Sequence, residues 1–280
     1  MALAATIGFF DGVHSGHQFV LEHLRLVAAE NGFDSAVVIF EDHPQKVLRN
    51  IDVRLLTTFD ERVELLKKNG INHILSFRFA EVQHLTAEAF MRLLHDKYDV
   101  GMLVMGYDHH FGCDQMTDFA DYESAATRVG IRLIRLIQNP QSNASSTVIR
   151  KALVDGDVQQ ANKLLGYPYT LKGRVVEGRQ IGRKIGFPTA NICLPKKKLI
   201  PASGVYVCEV DNRMAILNIG TNPTVQGTKQ TVELHIPNFQ GDLYGKLLTI
   251  KLLRYLRPDR KFENIELLRL QIQQDVATLK

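Results

Sequence analysis

The pattern of apolar residues changes near residue 166, and this change constrains the fold more than any other feature of the chain. Before it, continuous apolar runs such as 35–40 and 100–105 alternate with amphipathic stretches such as 60–68. This alternation predicts parallel strands joined by helices, which is a Rossmann-like, doubly wound α/β domain. After residue 166, Gly, Pro and Thr become frequent and short β-rich runs follow one another. Such runs predict a small antiparallel β-barrel.

The chain is therefore predicted to have two domains, at 1–165 and 166–280. Its 280 residues, 45% of them hydrophobic, suffice for two ordinary domains with a core in each. A closing helix is predicted because apolar residues near the end of the chain are spaced by three and four, and their stripe should pack on the barrel. The residues of this stripe are Ile265, Leu268, Ile272, Val276 and Leu279.

Composition limits the partners that the chain can have. The net charge of +4, from 34 basic and 30 acidic residues, suits phosphorylated small molecules but does not argue for nucleic acid. Three scattered cysteines without a Cys-x-x-Cys pair favour reduced thiols and a cytoplasmic location. No apolar run approaches the length of a transmembrane helix. The N-terminal segment lacks the basic region with which a signal peptide begins. The first strand begins almost at Met1, so we expect the natural chain to extend further at its N-terminus.

A glycine-rich turn near the N-terminus indicates a phosphate site. The apolar run 4–7 precedes Gly8, Gly12 and Gly16, and an amphipathic stretch begins at residue 19. Glycines let the backbone approach a ligand closely, and the free amides at a helix N-terminus hold phosphate. The sequence therefore predicts a strand, a phosphate-binding turn and a helix in succession.

Two histidines in this turn, His14 and His17, lie one helical turn apart, so both imidazoles can face one bound group. Two imidazoles beside a phosphate-binding helix end suit charge stabilisation during phosphoryl or nucleotidyl transfer. Alone, a histidine pair at this spacing could be half of a metal site or two solvated residues. The preceding strand and the glycines favour phosphate chemistry.

Other segments of the first half point to the same edge of the predicted sheet. The segments 40–44 and 106–112 each follow a strand. Because ligands of such sheets bind at the carboxyl ends of the strands, His43 and Asp108 should lie there with His14.

A helix is predicted to begin at Ser145 or Ser146, either of which can act as its N-cap. The free amides of this helix and the guanidinium of Arg150 can hold a polyphosphate. The alternative is an ordinary N-cap followed by an exposed arginine.

The second half contains a glycine-rich loop followed by the string Gly-Phe-Pro-Thr-Ala-Asn at 186–191. Spaced glycines permit backbone amides to wrap phosphates, although the loop is not a Walker A sequence. Thr189 and Asn191 alternate on an extended segment, so their oxygens face one side and suit Mg²⁺ and ATP. The alternative is a glycine-rich barrel turn with buried polar side chains.

These motifs resemble those of one known family. The His-x-Gly-His pattern and the Phe-Asp-Gly-Val-His string at 10–14 are similar to nucleotidyltransferases, and among them to the bacterial FAD synthetases. The string at 186–191 and the segments 231–236 and 242–245 resemble riboflavin kinases. Because the resemblance covers nearly the whole chain in the same order, the chain is identified as a member of the bifunctional riboflavin kinase/FMN adenylyltransferase family.

The resemblance implies two reactions that use ATP and Mg²⁺. The barrel domain would phosphorylate riboflavin to FMN, and the nucleotidyltransferase domain would adenylylate FMN to FAD with release of pyrophosphate. These substrates are small molecules, so no nucleic acid, membrane or obligate protein partner is implied. Glu233 would be the general base for the riboflavin 5′-hydroxyl, and His14, His17 and Arg150 would act on the phosphates in adenylyl transfer.

Further residues follow from the motifs and the resemblance together. Thr189 and Asn191 are the predicted metal ligands, and Asp108 would contact the nucleotide or its metal. The loop 218–224 should lie near ADP or flavin. Phe262 is a predicted flavin contact, with hydrophobic anchoring of the last helix as the alternative. The predicted nucleotide-binding residues are Gly8, Phe10, Asp11, Gly12, Asp108, Ser145, Ser146, Thr147, Gly178, Gly182, Arg183, Gly186, Pro188, Thr189 and Asn191.

The chain departs from the family pattern in two places. Asp42 stands where the family has proline, and 113–118 stands where the family has a basic, glycine-containing stretch. Less positive charge near a polyphosphate could weaken its binding, which keeps open a riboflavin kinase without adenylyl transfer. A non-enzymatic flavin sensor that binds RNA is the other alternative. Against it, basic residues are not concentrated in one stripe, apart from the cluster 196–198.

Overall fold

The computed structural model describes residues 2–106, 109–137, 143–178, 182, 186–224 and 227–279, without the side chains of 222–229. The chain divides into two compact units, Met1–Ala144 and Ser145–Lys280.

In the described part of the first unit, five parallel strands form a sheet with the order β3-β2-β1-β4-β5. The strands are β1 (Leu3–Ile7), β2 (Asp34–Phe40), β3 (His73–Phe77), β4 (Val100–Met105) and β5 (Arg132–Arg135). The helices are α1 (Ser15–Glu30), α2 (Pro44–Arg49), α3 (Phe59–Lys68), α4 (Phe79–Val82), α5 (Ala87–Tyr98) and α6 (Phe119–Arg128). The predicted doubly wound α/β domain is confirmed.

Apolar layers cover both faces of this sheet. Successive residues of β1 point to opposite faces, as the strand geometry requires. Ala5 and Ile7 belong to the layer formed with α5 and α6, and Ala4 belongs to the layer formed with α1 and α3. Burial on both faces explains why the strands read as continuous apolar runs. It leaves the carboxyl ends of the strands as the place where polar side chains can meet.

In the described part of the second unit, six antiparallel strands form a closed barrel with the order β10-β7-β6-β11-β8-β9. The strands are β6 (Thr170–Val176), β7 (Ala190–Cys193), β8 (Gly204–Val210), β9 (Arg213–Thr224), β10 (Gly227–His235) and β11 (Leu247–Arg257). The helices are α7 (Ser146–Val154), α8 (Val158–Leu165) and α9 (Ile265–Ala277). The predicted antiparallel barrel with a C-terminal helix is confirmed.

The second compact unit begins before the predicted domain 166–280. The Asn162 side chain, on α8, donates a hydrogen bond to the carbonyl of Leu252 at 2.8 Å. The Leu153 carbonyl, on α7, accepts one from the amide of Ala202 at 3.0 Å. These bonds and the buried apolar face of α8 join both helices to the barrel. The functional division at 165/166 stays a prediction.

One predicted loop is a strand in the structure. The segment 218–224 continues β9 to Thr224 and pairs in register with β10 from Gly227. Hairpin pairing with β10 extends the ladder through a segment that carries Pro223, although proline cannot donate a backbone hydrogen bond.

The stripe of α9 packs on the barrel only at its C-terminal end. Val276 and Leu279 contact the barrel cluster of Val205, Val207 and Ile216. At the other end of the stripe Ile265 is half exposed, so the predicted packing is wrong there. Between them, the side chains of Leu268 and Ile272 line a cavity instead.

Candidate active sites

The predicted histidine pair is brought together at the start of α1. His14 is the N-cap residue, and its Nδ1 accepts a hydrogen bond from the amide of His17 at 3.4 Å. The two rings are stacked, with centroids 3.7 Å apart and planes inclined by 19°. His14 is buried and His17 is half-buried. Both imidazoles can therefore face one group bound at the helix N-terminus.

The turn that carries the pair is held from the loop before α3. The Asp11 carboxylate accepts hydrogen bonds from the amides of Leu56 at 3.0 Å and Thr57 at 2.9 Å. The Thr57 hydroxyl in turn accepts from the amide of Gly12 at 2.9 Å. Gly12 has a φ of 81°, which glycine adopts without the penalty of a β-carbon. These contacts give Asp11 and Gly12 a role in shaping the turn, and their predicted contact with nucleotide stays a prediction.

His17 combines a low pKa with an unused nitrogen. Burial lowers the pKa of His17 well below its usual value of 6.5, and electrostatic interactions with His14, Arg62 and His109 lower it further. Its Nδ1 is buried and has no hydrogen-bond partner among the residues that the structure describes. His17 is therefore neutral at pH 7 in the free chain and leaves one ring nitrogen for a ligand.

This low pKa predicts a loss of stability in acid. An unfolded histidine takes up a proton below about pH 6.5, whereas the folded His17 does so only at a lower pH. The free energy of unfolding should therefore fall as the pH is lowered through this window, and it should fall less in His17→Gln. Urea unfolding at about pH 7.5 and about pH 5.5 measures the difference. An equal loss in the wild type and in His17→Gln would contradict the prediction.

Residues of the segments after β2 and β4 lie near the turn that follows β1. The ring of His43 lies 4.6 Å from that of Phe9, the second residue beyond β1. His109, which follows β4, is close enough to influence the protonation of His17. Asp108 lies outside the described residues, so its predicted contact with nucleotide or metal stays a prediction.

In the stretch 113–118, which departs from the family pattern, two acidic side chains bind backbone amides at the starts of helices. The Asp114 carboxylate accepts hydrogen bonds from the amide of Ala87, in the first turn of α5, at 3.0 and 3.2 Å. Asp118 is the N-cap of α6 and accepts from the amide of Ala120 at 3.0 Å. Negative charge at a helix N-terminus is favourable, so both carboxylates stabilise helix ends.

Ser145 is the N-cap of α7, and its hydroxyl accepts a hydrogen bond from the amide of Val148 at 3.2 Å. The predicted helix start is therefore confirmed. In the first turns of α7, Ser146 and Arg150 are half-buried and Thr147 is exposed. Their predicted contacts with polyphosphate stay predictions.

In the barrel, Glu233 lies at the centre of a polar group on β10. It is opposite Asn191 of β7 and Asn218 of β9 in the strand register. The Thr189 hydroxyl donates to the Glu233 carboxylate at 3.4 Å. Its strand neighbours Val232 and Leu234 are buried, so Glu233 projects from the face opposite to theirs.

Two cavities adjoin this polar group. The larger, of about 310 Å³, has Thr189, Asn218 and Glu233 on its polar side. Its apolar side is formed by Phe262, Leu268 and Ile272. The smaller, of about 100 Å³, is lined by Pro188, Leu234, Phe239 and Tyr244. Thr189 lines both cavities, whereas Glu233 lines the larger one and its strand neighbour Leu234 lines the smaller one.

Gly178 lies against one of these side chains, that of Asn191. A β-carbon on Gly178 would overlap the side-chain amide of Asn191. The carbonyl of Gly182 accepts a hydrogen bond from the amide of Phe187 at 2.8 Å, and Gly186 has a φ of 85°. Arg183 lies outside the described residues. The loop therefore needs glycine at Gly178 for close approach to a predicted metal ligand.

Comparison with known proteins relates each half of the chain to a known enzyme family. A family model described as FAD synthetase matches residues 2–148, and one described as riboflavin kinase matches residues 165–280. The chain is 36% identical to the bifunctional riboflavin kinase/FMN adenylyltransferase of Listeria monocytogenes, over 96% of this chain and 88% of that one. It is 34% identical to the Escherichia coli protein of the same name, over 98% and 91%. The chain belongs to the bifunctional riboflavin kinase/FMN adenylyltransferase family. The predicted family and the prediction of an FAD-biosynthesis enzyme with both activities are thereby confirmed.

A solved structure shares the family's two-part fold. It is described as a macrolide-efflux protein from Streptococcus pneumoniae, and it matches with a TM-score of 0.88 and 29% identity over 99% of this chain and 93% of that one. Within the part of this chain that the structure describes, no helix is both long and apolar enough to cross a membrane.

Two residues of the riboflavin kinase barrel were not found from the sequence. His235 lines the larger cavity, and its Nδ1 lies 2.9 Å from the carbonyl of Pro188. It could have been found, because it is two residues beyond Glu233 and so shares its strand face. Asp275, which is buried on α9, pairs with Arg257 of β11 at 2.7 Å. Nothing in the local sequence distinguishes Asp275 from an exposed helical acid.

Breaking the Arg257–Asp275 pair should loosen the apolar side of the riboflavin kinase cavity. Asp275→Ala would leave a mostly buried guanidinium without its carboxylate, which costs about 3 kcal/mol of stability. We expect a raised KM for riboflavin and unchanged adenylylation of FMN. Glu209→Gln, which breaks the exposed Glu209–Lys251 pair, should cost less than about 1 kcal/mol. Chemical denaturation and steady-state kinetics measure both effects. A wild-type KM in Asp275→Ala would contradict the expected role.

Proposed function

We propose that the first unit transfers the adenylyl group at the His14–His17 pair. A phosphate oxygen of FMN attacks the α-phosphorus of ATP, the bond from that phosphorus to the bridging oxygen breaks, and pyrophosphate leaves. The observation that carries the assignment is the His17 ring, which stacks on His14 at a helix N-terminus and whose buried Nδ1 has no hydrogen-bond partner among the described residues. Negative charge from the phosphates opposes the causes that keep His17 neutral, so this imidazole becomes a cationic donor when ATP binds.

Gly8, Phe10, Asp11 and Gly12 are proposed to shape the phosphate-binding turn beside the pair. The positive φ of Phe10, at 53°, and of Gly12 bends the chain tightly there, while the Phe10 side chain is buried.

Ser145, Ser146, Thr147 and Arg150 are proposed to bind the polyphosphate of the adenylyl transfer reaction. Ser145 caps the first turn of α7, and Arg150 lies one turn further along the helix. A helix N-terminus combined with a guanidinium is a suitable site for the pyrophosphate leaving group. Asp108 and Arg183 are proposed as nucleotide contacts from their motifs alone.

We propose that the barrel phosphorylates riboflavin with Glu233 as general base. The carboxylate accepts the proton of the 5′-hydroxyl as that oxygen attacks the γ-phosphorus of ATP and ADP leaves. The apolar wall of the larger cavity, including Phe262, suits the flavin ring, and the smaller cavity suits part of the nucleotide. The hydrogen bond from the Thr189 hydroxyl to the Glu233 carboxylate supports placing the two residues in one site.

Thr189 and Asn191 are proposed to hold Mg²⁺ together with the phosphates of ATP. Their oxygen atoms are the ligand type that Mg²⁺ prefers. Glycine at Gly178 leaves room for the side chain of Asn191, which a β-carbon there would overlap. No group of three or more His, Cys, Asp or Glu that could hold a metal occurs within the described residues, which fits a metal bound largely by substrate phosphates. When bound, Mg²⁺ would neutralise charge on the transferred phosphate.

We also propose that this enzyme works in the cytoplasm with small molecules as its only partners. Cys113, Cys193 and Cys208 are free thiols, as expected of a protein kept in a reducing compartment.

One assay tests the proposed function. The purified chain is supplied with riboflavin, ATP and Mg²⁺, and the flavins are separated at intervals. FMN should appear first and FAD after it. In a second reaction with FMN and ATP, FAD and pyrophosphate should appear together. Absence of both products in the second reaction, with the kinase intact, would instead identify a riboflavin kinase without adenylyl transfer.

A further inference from the structure

Arg62 of α3 is completely buried, and none of the roles proposed above uses it. Its side chain is among the largest that the structure buries fully. A buried guanidinium costs several kcal/mol unless hydrogen bonds and charges compensate for lost hydration. Its contacts therefore indicate why the fold keeps a cation at this position.

The guanidinium joins the carboxyl ends of the neighbouring strands β1 and β2. Nη1 donates to the carbonyl of Phe9 at 2.9 Å, and Nη2 donates to the carbonyl of Phe40 at 3.0 Å. Phe9 follows β1 and Phe40 is the last residue of β2. The planar fork of arginine suits two acceptors at once, and Cζ lies 4.0 Å from the centre of the Phe9 ring. Arg62 thus fixes the chain where it enters the turn of the histidine pair.

The positive charge of Arg62 is only partly balanced. Both of its hydrogen-bond acceptors are backbone carbonyls, and Nε has no partner within the described part of the chain. Burial lowers the pKa of Arg62 to about 10 against the opposing effect of Asp11, so the group stays charged at neutral pH. With His14 and His109, this charge adds to burial in lowering the pKa of His17. The result is a positive potential at the histidine pair.

We propose that Arg62 is a positioning residue for adenylyl transfer, which clamps the turn after β1 to the end of β2 and provides a buried positive charge behind the histidine pair. This rests on the proposed role of His14 and His17 in binding phosphate. A fixed cation in a region without water attracts an anion at no cost of reorganisation. It also disfavours protonation of His17 until phosphate binds, so the ligand determines when the imidazole becomes a cation.

Two substitutions separate the clamp from the charge. Arg62→Met removes both, whereas Arg62→Lys keeps the charge and removes the fork. In Arg62→Met we expect kcat/KM for FMN adenylylation to fall about 100-fold and His17 to titrate at higher pH by NMR. In Arg62→Lys we expect a smaller fall and the wild-type titration of His17. Riboflavin phosphorylation should be unchanged in both. Lys67→Met removes an exposed charge from the same helix and should change neither quantity.

Defined results would overturn the proposal. A wild-type kcat/KM for adenylylation in either Arg62 variant contradicts the clamp, and an unchanged titration of His17 in Arg62→Met contradicts the electrostatic role. Circular dichroism and the unfolding transition establish which variants fold. If Arg62→Met does not fold, the adenylylation rate of folded Arg62→Lys decides. Retained FAD formation in His17→Ala would instead contradict the proposed site itself.

Discussion

FAD formation from FMN and ATP should fall to a small fraction of the wild-type rate in His17→Ala, while FMN formation from riboflavin and ATP continues at the wild-type rate. The substitution removes the imidazole whose buried Nδ1 is available to phosphate and whose ring stacks on His14. Removing one preorganised donor to a developing charge costs on the order of 100-fold to 1,000-fold in kcat. The kinase residues lie in the other compact unit and are untouched. Separation of flavin products after each reaction measures both activities.

His23→Ala is the matched control on the same helix. The His23 ring lies 4.1 Å from that of Phe19, and its Nδ1 is 2.8 Å from the Phe19 carbonyl. Its substitution removes an imidazole of the same size without touching the pair, so both activities should be retained. Equal loss of both activities in a folded His17→Ala protein would contradict the assignment of the pair to one reaction.

Glu233→Gln should have the opposite effect. FMN formation should fall by roughly 100-fold to 10,000-fold, because the amide cannot accept the proton of the riboflavin hydroxyl. The amide has the size of the carboxylate and can still accept the Thr189 hydrogen bond, so the barrel should keep its structure. FAD formation from supplied FMN should stay at the wild-type rate. Initial rates with riboflavin and with FMN measure the two effects.

Glu209→Gln provides the comparison within the same barrel. Glu209 lies on β8 and pairs with Lys251 at 2.7 Å on the surface, away from the residues that line either cavity. Its substitution also removes one strand carboxylate, and riboflavin phosphorylation should persist. If Glu233→Gln kept a wild-type rate of FMN formation, another group would have to be the base.

Periodicity made much of the fold predictable. Strands buried on both faces contain uninterrupted apolar runs, as in residues 36–40 of β2, and α9 shows its stripe at helical spacing. The histidine pair was predictable because one helical turn necessarily brings His14 and His17 together. Glu233 was predictable as a base only through resemblance, since alternation on β10 gives its face and not its role.

Other features depend on contacts between distant parts of the chain and leave no local signal. Arg62 is buried because the backbone carbonyls of Phe9 and Phe40 accept its hydrogen bonds. Every residue has a backbone carbonyl, so the sequence does not indicate which ones Arg62 contacts. Asp275 is buried because Arg257 comes to it from β11. The same applies to α8. Its apolar face does not indicate which unit it packs on, and the hydrogen bond from Asn162 to the carbonyl of Leu252 joins it to the barrel.

Mixing the two variants tests most directly whether one chain carries two independent sites. With riboflavin, ATP and Mg²⁺, His17→Ala alone should stop at FMN, and Glu233→Gln alone should leave riboflavin unconverted. An equimolar mixture should form FAD, because FMN made by the first variant is adenylylated by the second. Two results would contradict the assignment of the two sites. One is a mixture of folded variants that forms no FAD although Glu233→Gln chains adenylylate added FMN. The other is FAD formation by His17→Ala alone at the wild-type rate.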